Sequence, residues 1–435
     1  MLDINFIKKN IEYVKKSVKN KNAKVDIDAL IALDTKRREL INSIESLASD
    51  KKKVSKSFID NKDLAGQKEA VILKNKIQKL EKEYKELMVL YTDMLYSVPN
   101  VSSPDMPIGK SEDDNVEIKK VGNVPVFDFE VKNHVELGEQ LDIIDIKKAA
   151  EVSGSRFYYL KNEAVLLQFA LVQYVFDVLG NEKIIQNIIT DLGLTISSKP
   201  FSLMIPPVMI REEVQKSIHR VFGDQTYSIE NDTTNLVASA EHTMAPYHMN
   251  EVIEQNRLPL RYVGYSTAFR QEAGTYGKDM GGILRTHQFD KLEMESFTDK
   301  ESGKDEQKLI VALQEYLVQQ LNIPYRLVHV CTGDTGGPDY DQYDIECWIP
   351  SQRKYRETHT SDYMTDYQTR GINAYYKSLD GKKVLLHTND ATAFAIGRIL
   401  IAIFENFQTK DGEIVVPKIL QKYVGKEKIS RKITS

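Results

Sequence analysis

Apolar residues recur every three or four positions through the first hundred residues. Leu30, Leu33, Leu40, Ile44, Leu47 and Val54 fall on a and d positions of a heptad, with Arg37 and Lys51 as polar exceptions. A second run, Leu73, Ile77, Leu80, Tyr84, Leu87, Tyr91 and Met94, steps by four and three without a break. Such spacing predicts two long helices, each with one apolar seam. The polar, Gly-containing stretch from Ser55 to Gly66 predicts the turn between them. The halves are equal in length, which favours an antiparallel two-helix coiled coil within one chain over a dimerisation zipper. At ~1.5 Å per residue the arm would be roughly 40 Å long or more. Phe6 to Val18 predicts a short amphipathic helix at its base.

Val98 to Gly122 carries Pro99, Pro104, Pro107 and the acidic cluster Glu112-Asp113-Asp114, the composition of a linker. The predicted organisation is therefore a helical domain at 1–97, a linker at 98–122 and a larger domain at 123–435. In that larger domain, strand-like runs alternate with helical ones at Leu166 to Leu179, Lys308 to Gln320 and Thr392 to Asn406. Period-two patterning, as in Tyr343 to Ile349, predicts an α+β fold with a mainly antiparallel sheet flanked by helices. No G-x-G-x-x-G follows a strand and opens a helix, and no Walker loop is present.

Two further strand-like pieces, Leu260 to Phe269 and Ile283 to Glu293, flank a loop holding Gly274, Gly277, Gly281 and Gly282. A hairpin would gather Arg270, Glu272, Arg285 and Glu293 around a loop of little bulk. Guanidiniums grip phosphate in bidentate geometry and glycine admits close approach to the backbone. Spacing alone fits an anion cradle or an ordinary hairpin with solvated charges.

Composition narrows the class. With 41% hydrophobic and 28% charged residues the chain is foldable rather than disordered. The polar N-terminus and the absence of any apolar run near ~20 residues argue against a signal peptide or membrane partner. Cys331 and Cys347 fit reduced core residues of a cytoplasmic protein, and no Cys/His set has zinc spacing, so no zinc is expected. The net charge of −4 divides unevenly: residues 1–95 hold 21 Lys+Arg against 15 Asp+Glu. The basic end is where an anionic polymer would bind. Lys51, Lys52 and Lys53, with Lys56, Lys62 and Lys68 nearby, read either as a solvated face or as a phosphate-backbone contact.

F-R-Q-E-A-G followed by R-T-H-Q-F-D-K-L-E resembles motif 2 of the class II aminoacyl-tRNA synthetases in its seryl-tRNA synthetase form, bacterial type. The likeness continues through the arm, the P-N-V-S-S-P-D-M-P-I-G-K phrase, A-A-E-V-S-G-S-R-F-Y-Y-L and a motif 3-like Leu385 to Gln408. It implies a class II sheet, ATP-dependent formation of seryl-adenylate from L-serine, and transfer to the 3′ end of tRNA(Ser), with tRNA(Sec) also charged. The coiled arm would hold the long extra arm of that tRNA by shape.

Residue by residue, the resemblance makes Arg270 the clamp on the α-phosphate and serine carboxylate, and Arg398 the γ-phosphate contact. Both would be catalytic. Gln271 and Glu272 would adjoin the nucleotide, Phe289 would stack on adenine and Arg285 would reach the outer phosphates. Without the motif, Phe289 would read as core. Glu357 and Thr360 would face Mg2+ bound with ATP, flanked by Thr358 and His359. Ser239, Ala240 and Glu241, with Glu293, Asp390 and Thr392, would hold serine. Pro207, in F-S-L-M-I-P-P-V-M-I-R, would lie at a homodimer interface. Arg398 stands among Ile396, Ile399, Leu400 and Ile403, so it should be largely buried and need an anionic partner.

Three positions depart from the family pattern. Ser239 replaces threonine, Gly281 stands where arginine is common, and Asp390 replaces asparagine. An ionised Asp390 would add negative charge beside the serine pocket.

Overall fold

Asp3 accepts hydrogen bonds from the N–H groups of Asn5 and Phe6 and so starts the first helix, Ile4–Lys9 (α1). Ile11–Asn20 (α2), Ile27–Asn61 (α3) and Leu64–Tyr96 (α4) follow. The computed structural model describes residues 1–61, 64–220, 225–273 and 281–431. It separates into two units, Met1–Val101 and Ser102–Ser435.

In the first unit the heptad seams are the inward faces: Leu30, Leu40, Ile77, Leu87 and Tyr91 are buried. Lys36 pairs with Glu83 at 2.9 Å and the Arg37 guanidinium lies 5.2 Å from the Tyr91 ring. Both contacts join the start of α3 to the end of α4, as an antiparallel hairpin requires. At ~1.5 Å per residue, the 35 residues of α3 span roughly 50 Å. The two helices reach further than the sequence suggests. Ser55 to Asn61 stay helical and α4 begins at Leu64, leaving Lys62 and Asp63 outside the described residues. A single glycine inside a helix, here Gly66, costs only about 1 kcal/mol. Asp34 is fully buried at the arm's base, bonded to Lys8, Arg37 and Arg38. Burial would raise its pKa, but Lys8 and Arg37 hold it below the usual carboxylate range.

The second unit is built on eight strands: Val116–Val121 (β1), Ser202–Met204 (β2), Leu260–Phe269 (β3), Gln288–Thr298 (β4), Tyr325–His329 (β5), Asp341–Ile349 (β6), Lys354–Thr365 (β7) and His387–Ala395 (β8). Their spatial order is β1-β5-β6-β7-β8-β4-β3-β2, antiparallel throughout except for the β2–β3 pair. The expected linker is thus an edge strand in its second half. Val116, Ile118 and Val121 supply β-branched side chains, and Glu117, Lys119 and Lys120 charge the free edge against further pairing.

Asn162–Leu179 (α5), Gly303–Gln320 (α6) and Ile396–Asn406 (α7) cover one face of the sheet. Leu167, Leu171, Leu313, Leu317, Ile399 and Ile403 pack there against Leu292, Met294, Ile345 and Phe394. Thr392 to Ala395, expected to open a helix, instead end β8, because their backbones pair with β4. The helix α5 has the length and apolarity to cross a membrane, yet 61% of it is buried inside this unit. Cys331 and Cys347 are buried free thiols. The opposite face of the central strands is polar.

Candidate active site

Strand alternation directs Phe289, Lys291, Glu293 and Glu295 of β4 to the polar face while Leu292 and Met294 enter the core. Asp390 and Thr392 of β8 and Thr360 and Asp362 of β7 join them, and with Phe289, Lys291 and Glu293 they floor a cavity of about 440 Å³. Glu357 and Thr360 lie three apart on β7, so regular alternation would send them to opposite faces. A bulge where Ile345–His359 pairing gives way to Glu346–Glu357 inserts Thr358 and realigns both toward the cavity. Thr358 donates its hydroxyl to the Ile345 carbonyl at 3.1 Å, so only its outline reaches the cavity wall.

The same bulge turns His359 away. It was expected beside the nucleotide but is fully buried against Phe394, and burial drives its pKa down to about 3. Gln271 is also directed elsewhere, donating from Nε2 to the Thr226 carbonyl at 2.8 Å. Ala240 is buried and lends the site only its backbone position. Pro207 is exposed beside exposed Ile205 and Val208. Lys51 is half-buried in the arm seam, Lys52 and Lys53 are exposed, and Lys53 sits 3.3 Å from Asp50.

Arg270, at the end of β3, donates from Nε to the Ala238 carbonyl at 3.1 Å and lies 5.2 Å from the Phe289 ring. Burial lowers its pKa, and so does the charge of Arg398. Two guanidiniums sharing a cavity wall repel until an anion lies between them. Arg285 meets Glu272 at 2.8 Å, and Glu272 holds a left-handed backbone, φ 51°. That is a strained position for a non-glycine residue. The loop ends at Gly282, φ 87°, where an added Cβ would lie 1.9 Å from the His134 ring, so glycine is required. Gly274 and Gly277 lie outside the described residues.

Arg398 is less buried than its apolar neighbours imply. It occupies the first turn of α7, next to Gly397 and Ala395, and its side chain stays 28% exposed at the cavity rim. Its partner there is Glu357, at 2.9 Å. Half of the Glu357 side chain is exposed, and although partial desolvation at the cavity would raise its pKa, Arg398 with Lys291 and Arg270 holds it down. Behind it, burial and the Glu357 charge push Asp344 well above its ordinary range. This wall therefore offers hard oxygen donors, the Glu357 carboxylate and the Thr360 hydroxyl, the chemistry a magnesium ion shared with phosphate oxygens needs. Among the described residues no set of three or more His, Cys, Asp or Glu side chains is arranged to hold a metal ion unaided.

The buried end is crowded with charge. Ser239 Oγ stands 3.4 Å from Glu293, and Lys291 Nζ is 2.6 Å from Glu293. Burial raises the Glu293 pKa and Lys291 opposes it. Arg220 bonds Glu241 through Nε and reaches Asp390 at 2.9 Å and Asp339 at 3.4 Å. Burial would raise Glu241, but Arg220 and a bond from Asp390 bring it to about 2. Burial and the Glu241 charge push Asp390 well up, so the substituted aspartate adds less charge than an ionised one would. Lys291 was legible, sharing a face with Phe289 and Glu293. Arg220 was not, since no motif or periodicity marks it.

A family profile described as "Seryl-tRNA synthetase N-terminal domain" matches residues 1–102, and "tRNA synthetase class II core domain (G, H, P, S and T)" matches 226–407. Serine–tRNA ligases of Dictyoglomus turgidum and Treponema denticola are each 38% identical, over 99% of this chain and all of theirs. The seryl-tRNA synthetase of Pyrococcus horikoshii, solved with ATP, superposes with a TM-score of 0.86 at 34% identity, covering 99% of this chain and 100% of that one. The cytoplasmic enzyme of Naegleria fowleri with AMP gives 0.82 at 27%, over 99% of each chain. With motif residues, sheet and N-terminal helices all in agreement, the chain belongs to the seryl-tRNA synthetase family of class II aminoacyl-tRNA synthetases and is a serine–tRNA ligase.

Proposed function

We propose that the cavity holds ATP at its rim and L-serine at its buried end, with the site residues in the roles the family resemblance implies. One observation carries this assignment. Segments far apart in the chain, 270–272 with 283–293, 357–360 and 395–398, line one cavity with their charged side chains. Arg270 clamps the α-phosphate and the serine carboxylate, Phe289 stacks on adenine, and Arg285 with Glu272 orders the outer phosphates. Arg398 takes the γ-phosphate. Glu357 and Thr360 would hold Mg2+, which supplies neutralisation of phosphate charge when bound. Ser239, Glu241, Glu293, Asp390 and Thr392 receive the serine ammonium and hydroxyl.

The serine carboxylate oxygen attacks the α-phosphorus and pyrophosphate leaves. The terminal ribose hydroxyl of the tRNA then attacks the acyl carbon, and AMP leaves. The protein's part is to position the reactants and neutralise charge. A site lined by buried polar groups rejects alanine because they would be left unpaired, a penalty of up to ~10⁴-fold.

We further propose that the helical unit binds tRNA(Ser), and tRNA(Sec) with it, through Lys51, Lys52 and Lys53. Pro207 and its exposed apolar neighbours would form a homodimer interface, and the enzyme would work in the cytoplasm. Deleting Asp26 to Met94 should leave serine-dependent ATP–pyrophosphate exchange largely intact while abolishing tRNA charging. Absence of exchange in the full-length protein would refute the enzyme assignment. Exchange without charging of any tRNA would point to a ligase that loads another carrier.

A further inference from the structure

The inner end of the cavity is strongly acidic. Glu241, Glu293, Asp339, Asp362 and Asp390 line it, against Arg220 and Lys291. Register explains the crowding. Asp362, Asp390 and Glu295 stand directly opposite one another on β7, β8 and β4, and their side chains share one face. Glu295, fully buried behind the cavity, has both oxygens without a hydrogen-bond partner. Lys291 is committed to Glu293 at 2.6 Å. Among the described residues Arg220 is therefore the cation that serves the remaining acids, touching Glu241, Asp390 and Asp339, with Asp362 at 3.9 Å. It is only 9% exposed, and what exposure it has is toward the cavity.

A buried guanidinium in that place does more than balance charge. Without it, the acids would form an anionic hole beside the substrate's side chain, and an amino acid ending in a second ammonium would fill it. With it, a cationic side chain meets a fixed like charge, which disfavours its binding. We propose that Arg220 is a positioning and specificity residue of the amino-acid end: it holds Glu241 and Asp390 in place and keeps the pocket from accepting a small diamino acid in place of serine. The inference rests on the assignment of this end to serine.

The probe is 2,3-diaminopropionate, which carries an ammonium where serine carries its hydroxyl. Serine- and diaminopropionate-dependent ATP–pyrophosphate exchange are measured on the full chain and on Arg220→Met, with kcat and KM separated. The serine KM should rise at least ~10-fold in the variant, with the ATP KM within about twofold of wild type. The ratio of kcat/KM for diaminopropionate over serine should rise on the order of 100-fold. Arg220→Lys, which keeps the charge, should stay near the wild-type ratio. Arg220→Gln provides a second neutral variant if the methionine one does not fold. A folded neutral variant with an unmoved ratio overturns the proposal, and so does failure of both neutral variants to fold, since the guanidinium is then structural. Loss of serine exchange in the wild type would instead bring down the serine assignment itself.

Discussion

At the rim of the cavity Arg285 and Arg398 are each paired with one carboxylate, Glu272 and Glu357, and Arg270 donates to a backbone carbonyl, whereas at the buried end Arg220 and Lys291 face five carboxylates. Two rim arginines keep partial exposure, 28% for Arg398 and 33% for Arg285, while Arg220, Glu241 and Asp390 keep 10% or less. The difference follows from what each end has to receive. A polyphosphate brings its own negative charge, so the rim can leave cations in excess and let water screen them in the empty state. The buried end has no such screening, and its charges must be matched inside the protein before substrate arrives.

If the rim is an anion site, its arginines should dominate the chemistry. Arg270→Ala is expected to give the largest effect, a loss of serine-dependent exchange on the order of 10³-fold, because it faces both the phosphate and the carboxylate. Arg398→Ala should follow with a loss of at least ~10²-fold, read in the same assay. Turnover near wild type in Arg398→Ala would make the arginine a structural partner of Glu357 and erase the contrast between the two ends.

The rim was also the readable end. Arg270, Glu272 and Arg285 belong to one hairpin, so local spacing alone groups them, and Arg398 stands out as a cation in an apolar helix. What spacing could not give was direction. His359 sits between Glu357 and Thr360 in sequence but is turned into the core by a bulge that only pairing with β6 creates. The buried end depends on non-local register. Nothing near Arg220 in the chain announces Glu241, Asp339 or Asp390, which come from three other segments. The same split runs through the fold: α3 and α4 follow from a local heptad, whereas β1 hid in a polar, Pro-flanked stretch because a short edge strand is defined by its neighbour β5.

The smallest expected effect tests whether the buried end holds more acid than it can ionise. Glu295 is opposed in register by Asp390 and by Tyr262, and burial, then the Glu241 and Glu293 charges, push its pKa well above the usual carboxylate range. A folded pKa above the unfolded one contributes stability that is complete below the unfolded value, about 4.3, and is lost as pH rises toward the folded value. Glu295→Gln cannot ionise, so its stability lacks that decline. The amide's own unmet hydrogen bonds cost the same at every pH and cancel from the difference. Thermal melts at pH 5 and pH 8 should therefore show the variant gaining on wild type between the two, by roughly 2–4 °C for each kcal/mol of relief. Equal offsets at both pH values would mean that Glu295 ionises normally, and the acid excess at the buried end would then be already matched by Arg220 and Lys291.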